Sequence, residues 1–399
     1  MTRFKSPFTR RQLMPQEEML EVVREKSALY IGIPKESSTE EKRVCLTPDA
    51  VSALVAQGHH ILVEKDAGVY SGFADIDYSE AGAEISTDRK RIFGCPFILK
   101  VEPPTLDELE YIAPNTVLIS ALQLKARNKQ YFQILEKKKI TALAFEFIKD
   151  TDESYPAVRM LSEVAGTGSV LIAAELMSEA SAHSGVLFGN ISGVPPTEVV
   201  VIGAGTVGMF ATRSALGLGA NVRVFDNSIT KLRNLQSQLK QPIYTSTLQP
   251  KNLMKALMRC DVAIGAVRGE NRSPILVTET MVENMKPGSV IVDVSIDMGG
   301  CFETSEMTSH DRPHFTKHGV IHYCVPNIPA RYPRTASVAI SNIITPYLLE
   351  IAEAGSIEQA IRFKYGLRTG VYFYKGISTN TSVAAWFDIS YSDINLILF

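Results

Sequence analysis

Short apolar runs of strand length recur through the first part of the chain, at residues 29–33, 60–64, 97–101, 117–121 and 141–147. Between them lie stretches of mixed polarity, long enough for helices. Buried-type runs that alternate with helical stretches predict β-α-β units and a parallel sheet. The first helix has a clear start, because Thr47 can cap the free N–H groups and Pro48 occupies the first turn, where its missing donor costs little. That spacing predicts a helix over residues 48–57. A short helix is expected near the N-terminus.

From 161 to 181 the chain is dense in Ala, Leu, Met and Glu, which predicts a long helix. The loop at 185–196 reads as a domain boundary. A second β-α-β series follows from 199 to 327, with strands expected at 221–225 and 320–325. Another helical stretch covers 336–352, interrupted at Pro346. Long helices thus bracket the second unit, and residues after 336 are expected to return to the first. The expected division is 1–160 plus 336–399 for one discontinuous domain and 161–335 for the other, with ligand in the cleft between them.

The length of 399 residues agrees with two domains, since single cores stop growing beyond roughly 250–300 residues. With 45% hydrophobic and 21% charged residues, the composition is that of a globular enzyme. A net charge of -2 provides no field for a phosphate backbone or an anionic membrane, which argues against nucleic acid as a partner. The cysteines, Cys45, Cys95, Cys260, Cys301 and Cys324, contain no C-x-x-C pair. They fit reduced thiols and a cytoplasmic location. No apolar signal core follows the basic residues 1–11, and the longest uncharged stretches, 164–174 and 199–212, are too short or too glycine-rich to span a bilayer.

The most specific chemistry lies in Glu198-Val-Val-Val-Ile-Gly-Ala-Gly-Thr-Val-Gly-Met-Phe-Ala, a buried-type strand running into G-x-G-x-x-G and then a helix. Gly203 permits the tight turn, Gly205 lets a pyrophosphate approach the backbone, and Gly208 lets helix and strand pack closely. The helix N-terminus at Thr206 and Val207 offers free N–H groups to phosphate. Asp226 ends the next strand, where a carboxylate can accept both ribose hydroxyls of NAD. Arg223, two residues upstream, is a possible attractor for the extra phosphate of NADP. The acid favours NAD.

Several segments resemble the alanine dehydrogenase family, which also includes the alpha part of the proton-translocating transhydrogenase. They are Ile31-Gly-Ile-Pro-Lys-Glu, Lys42-Arg-Val-Cys-Leu-Thr-Pro, Leu161-Ser-Glu-Val-Ala-Gly, the glycine loop, and Val292-Asp-Val-Ser-Ile-Asp-Met-Gly-Gly-Cys-Phe-Glu. The resemblance implies an α/β chain of two Rossmann-like domains with doubly wound parallel sheets, joined by long helices around an interdomain cleft. It further implies a homo-oligomer, hexamer or dimer, and reversible oxidative deamination of L-alanine to pyruvate and ammonium. Carried over by position, Arg43 matches the arginine that holds the substrate carboxylate, and Asp297 matches the acid beside the nicotinamide. Ser162, Asp226 and Asn327 fall on family positions near substrate or cofactor.

The chain departs from that pattern at two places. The family's alanine dehydrogenases carry a second lysine in a Lys-Val-Lys-Glu-Pro segment, where this chain has Glu102 in Leu99-Lys-Val-Glu-Pro-Pro. They also carry a catalytic histidine in a Leu-His-Leu segment, where this chain has Gln123. A carboxamide can position a substrate but cannot titrate near neutral pH. Residues two apart on an extended segment share a face, so Lys100 either replaces the missing ammonium or pairs with Glu102. The departures leave three readings open: an alanine dehydrogenase, a dehydrogenase for another amino or imino acid, and an NAD(H)-binding paralogue with little catalysis. His310, His314, His318 and His322 have helical ligand spacing, but Pro313 and Gly319 break any helix there, and no metal site is expected.

Overall fold

The computed structural model describes residues 27–178, 185–239, 241–269 and 272–398. The short helix expected near the N-terminus and the end of the long helix beyond 178 lie outside the described residues. The first series of strands comprises β1 (Tyr30–Ile33), β2 (His60–Glu64), β3 (Glu84–Ser86), β4 (Phe97–Leu99), β5 (Val117–Ser120) and β6 (Thr141–Ala144). The second comprises β7 (Glu198–Ile202), β8 (Asn221–Phe225), β9 (Tyr244–Ser246), β10 (Val262–Gly265), β11 (Val290–Asp293), β12 (His314–Lys317) and β13 (Val320–Tyr323). Two late strands, β14 (Val371–Tyr374) and β15 (Ile377–Ser378), follow.

Both sheets have the same winding. The first runs β3-β2-β1-β4-β5-β6 and continues into β14-β15, and the second runs β9-β8-β7-β10-β11-β13 and ends in β12. The pairs within each first-named series are parallel, whereas β14 lies antiparallel to β6, and β12 antiparallel to β13. This is the doubly wound order, and it leaves a crevice at the carboxyl ends of two neighbouring strands where the winding reverses. In the first sheet that point lies between β1 and β4, and in the second between β7 and β10. The strands beside it are apolar on both faces, as the burial of β4, β5, β10 and β11 along their full lengths attests.

The helix Pro48–Val55 starts where expected, its N-terminus capped by Thr47 Oγ1 accepting from the Ala50 N–H at 3.4 Å. Several boundaries differ from expectation. The apolar run at 141–147 stops being a strand at Ala144, and Phe145–Phe147 turns as a 3-10 helix. Pro346 lies inside a continuous helix, Pro333–Glu353, so the interruption expected there is absent. Beside it Thr345 Oγ1 donates to the Ser341 carbonyl at 2.7 Å. The helices Pro156–Ser178 and Pro333–Glu353 are also long and apolar enough to cross a bilayer by length and composition, which the sequence reading did not expect. Half of each apolar window is buried inside the protein, as in the core helices of a folded domain.

These helices carry the chain between the sheets. Pro156–Ser178 contributes Val170, Ile172, Ala173 and Met177 to the core that also holds Val199, Val201 and Ile264 of the second sheet. Pro333–Glu353 contributes Ile340, Ile344, Leu348 and Ile351 to the core of Ile31, Val63 and Leu99 in the first sheet. The helices pack against each other.

Candidate functional site

The turn after β7 meets the demands of a dinucleotide cradle. Gly203 has φ 111°, and a methyl group there would stand 2.3 Å from the Ala266 carbonyl oxygen. At Gly208 the same atom would fall 1.8 Å from the Gly203 carbonyl oxygen, so helix and strand can approach this closely only without a side chain. A methyl group at Gly205 would meet nothing within 4 Å, which leaves open space beside the helix Thr206–Gly217. No side chain caps that helix, and the first N–H groups of a helix have no acceptor within it. The amides of Thr206, Val207 and Gly208 thus border open space at an uncapped helix N-terminus, the setting in which backbone N–H groups take an anion.

Asp226 stands at the end of β8, where Oδ2 accepts the Ala204 N–H and Oδ1 the Ser228 N–H, each at 2.7 Å. The carboxylate braces the glycine turn, and each oxygen keeps a lone pair for a ribose hydroxyl. Arg223 is drawn elsewhere, pairing with Glu198 at 3.4 Å and lying over the Tyr244 ring. Nothing at the end of β8 therefore offers it to a 2′-phosphate.

The facing rim belongs to the first sheet. Arg43 lies in the loop after β1 and is buried. Its Nε donates to Glu41 Oε1 at 2.7 Å and its Nη2 to Glu41 Oε2 at 2.5 Å, a fork that fixes the guanidinium plane. Burial works against the charge on Arg43, but Glu41 more than compensates and holds its pKa above the usual value.

Lys100 corrects one expectation. Its Nζ lies 3.1 Å from Glu36 Oε2 and 3.3 Å from Glu108 Oε1, and its side chain is 1% exposed. Burial opposes that ammonium, and the two carboxylates overcome the penalty and raise its pKa. The expectation that Lys100 replaces the missing substrate lysine does not fit this geometry, and neither does an exclusive pair with Glu102. Lys100 is a structural cation tying β4 to the loop after β1. Burial pushes the Glu36 carboxyl up to about 7 against the pull of Lys100.

Glu102 and Gln123 are brought together. The segments that carry them are joined by the Ala121 N–H donating to the Val101 carbonyl at 3.0 Å, and the half-buried Glu102 carboxylate lies beside the Gln123 side chain in the field of Glu41, Lys100 and Arg43. Burial and then Glu41 raise its pKa, while Lys100, Gln123 and Arg43 pull it down with smaller effect. Gln123 sits in a left-handed conformation, φ 48° and ψ 55°. Its preceding residue is pinned by the buried carboxylate of Glu146, whose Oε1 accepts the Leu122 N–H at 2.7 Å.

Asp297 reaches this cluster from the second sheet, on the 3-10 turn Val294–Met298 after β11. Its Oδ1 accepts the Asn327 N–H at 2.9 Å, and Asn327 itself is left-handed. Desolvation raises the Asp297 pKa, with the Asn327 N–H and then the charge of Arg43 pulling against it. The turn is anchored by Asp293, which accepts from the Ser295 and Cys301 N–H groups and from Ser305 Oγ. Ser162 stands on the helix Pro156–Ser178, which packs against that turn. At the crevice mouth the His310 N–H donates to Glu40 Oε2 at 3.3 Å, joining the two sides.

Sequence reasoning missed Glu41, Glu36, Glu108, Asp293 and Glu146. The only signal for Glu41 was its place two residues before Arg43, where a charge run ordinarily means a solvated loop. Three of the histidines noted in the sequence have local partners. His322 bonds Thr304 and the Val320 carbonyl, His318 meets Glu279, and His310 lies beside Glu40.

Two family models match the chain: "Alanine dehydrogenase/PNT, N-terminal domain" over residues 32–165 and "Alanine dehydrogenase/PNT, C-terminal domain" over residues 169–381. The alanine dehydrogenase of Staphylococcus haemolyticus (strain JCSC1435) is 39% identical over 368 residues, which cover 92% of this chain and 98% of that one. Among solved structures, an L-alanine dehydrogenase superposes with a TM-score of 0.84 at 34% identity, covering 90% of this chain and 98% of that one. The transhydrogenase from Sinorhizobium meliloti shares the fold, with a TM-score of 0.75 at 24% identity, covering 88% of this chain and 99% of that one. With both family domains matched in order along the same two sheets, the chain belongs to the alanine dehydrogenase/PNT family.

Proposed function

We propose that this protein is an NAD-dependent amino-acid dehydrogenase that interconverts L-alanine with pyruvate and ammonium. The observation that carries the reading is the meeting of two switch points, one with an open glycine cradle and one with a buried, carboxylate-oriented arginine. In this reading the amides of Thr206, Val207 and Gly208 hold the pyrophosphate, and Asp226 takes the ribose hydroxyls. The Arg43 guanidinium, kept in plane by Glu41, takes the substrate carboxylate and so fixes which way Cα faces. NAD, when bound, supplies the acceptor for the hydride that leaves Cα. Asp297, whose pKa is raised by desolvation, lies on the cofactor side, where its carboxyl group holds or yields a proton. Closure of the two sides excludes water around the hydride. A homo-oligomer in the cytoplasm, with a small amino acid or 2-oxo acid as its ligand, completes the proposal.

The test is an assay of the purified protein for NADH formation from L-alanine and NAD, and for NADH consumption with pyruvate and ammonium. Turnover in both directions is expected, with NADP a poorer coenzyme. Background rates in both directions from protein that binds NADH would sink the assignment.

A further inference from the structure

We propose that Glu102 and Gln123 together bind the substrate nitrogen and carry the proton that imine hydrolysis requires, with Glu102 as the catalytic residue. The proposal rests on the amino-acid dehydrogenase reading and concerns how this chain runs that chemistry without the family's lysine and histidine.

The reaction needs a group on the first-sheet rim that exchanges protons beside the bound carboxylate. Glu41 is committed to both nitrogens of its fork with Arg43. Glu36 and Glu108 enclose Lys100, and the ammonium between them is 1% exposed. Gln123 does not titrate. Glu146 holds the Leu122 N–H and Glu40, at the mouth, the His310 N–H, so that among these carboxylates Glu102, half-buried beside the neutral Gln123, is the one left to exchange protons with a bound substrate.

The pair also has the right polarity for nitrogen. When the amide N–H of Gln123 donates to the carboxylate, the amide oxygen and the second carboxylate oxygen remain as acceptors. An ammonium or iminium carries only donors, so it suits this corner better than a ketone oxygen does. The groups facing Glu102 set its readiness to titrate. Glu41 on the neighbouring loop raises its pKa, while Lys100 on its own segment and Arg43 lower it less than burial raises it. Asp297 faces Arg43 from the opposite sheet.

In the deamination direction, the substrate ammonium first gives one proton to solvent; Cα of the free amine then yields its hydride, with the electron pair, to the coenzyme, and carbon and nitrogen are left as an iminium. Water attacks that carbon. Its oxygen forms the C–O bond, one proton passes to the Glu102 carboxylate, and the C=N π pair settles on nitrogen. Glu102 returns this proton to nitrogen, the C–N bond breaks with its pair onto the departing ammonia, and the hydroxyl closes to C=O. Its proton goes back to Glu102 and then to ammonia, which leaves as ammonium.

The experiment compares wild type with Glu102→Gln, Glu102→Asp and Gln123→Ala, reading kcat and KM for L-alanine from pH 5 to 9 and NADH affinity by fluorescence titration. Glu102→Gln is expected to lose about 100-fold or more in kcat, the usual range for removing a general acid–base group. NADH affinity should stay within about twofold, and Glu102→Asp should recover part of the loss. Gln123→Ala removes a hydrogen bond to the charged form, so the acid limb of the kcat profile should move to higher pH. If Glu102→Gln keeps kcat within about threefold with the acid limb in place, the proposal is overturned while the dehydrogenase reading stands. If Glu102→Gln does not fold, an unmoved acid limb in Gln123→Ala overturns it. A wild type without turnover on either substrate pair removes the dehydrogenase reading and this proposal with it.

Discussion

At the scale of the residue, the smallest probe of the coenzyme cradle is a methyl group. At Gly205 it meets only open space, whereas at Gly203 and Gly208 it collides with backbone. Gly205→Ala is therefore expected to leave the midpoint of thermal unfolding within about 2 °C of wild type while NADH binding weakens at least about tenfold, or about 1.4 kcal/mol. Calorimetric titration of NADH beside a melting curve checks this, and unchanged affinity would mean that the pyrophosphate does not lie there. The three glycines and Asp226 were legible in the sequence because their roles are backbone roles tied to a strand-turn-helix pattern. The partners of Lys100 were not, since Glu36 and Glu108 lie far from each other along the chain and meet only when β1 and β4 pair.

At the scale of the element, the helix Pro156–Ser178 lies against the helix that opens at the glycine loop. A methyl group on Gly166 would stand 2.4 Å from the Val207 carbonyl oxygen, so the absence of a side chain there sets how closely the helices approach. Gly166→Ala is expected to destabilise the fold by about 1–3 kcal/mol through overpacking. It should also weaken NADH binding, because the displaced backbone carries the phosphate-facing amides. Urea unfolding and NADH titration of the variant measure the two effects, and an unperturbed variant would show that the helices slide freely. Most elements were readable from apolar runs, but β3, Glu84-Ile-Ser, is too short and polar to announce itself. β4 and β6 end before their apolar runs do: Val101 and Phe145 lie in the first sheet's own core, but Phe145 already opens a 3-10 turn, and Val101 keeps only a carbonyl bond from the Ala121 N–H.

At the scale of the whole molecule, one buried histidine ties stability to pH. His322 bonds Thr304 Oγ1 through Nε2 at 2.8 Å and the Val320 carbonyl through Nδ1 at 2.9 Å, an arrangement made by the neutral ring. Burial lowers its pKa to about 4. The unfolded chain, with an ordinary imidazole near 6.5, takes up a proton that the folded chain refuses. This contribution is therefore fully present above pH 6.5 and is lost as pH falls toward 4, by at most about 3 kcal/mol. Denaturant unfolding at pH 7 and pH 4.5 should show a smaller acid loss in His322→Gln than in wild type. Equal losses would remove His322 from the account.

The long helices have a mechanical meaning. Pro156–Ser178 and Pro333–Glu353 carry the backbone from one sheet's core to the other's and back, side by side. A body tied to its neighbour by a single thread can swivel and twist, but one tied by two adjacent threads retains one easy rotation, about the line joining them. Any opening of the mouth between Arg43 and Asp297 is thereby confined to that one axis, so that closure would return the same atoms to the same facing positions.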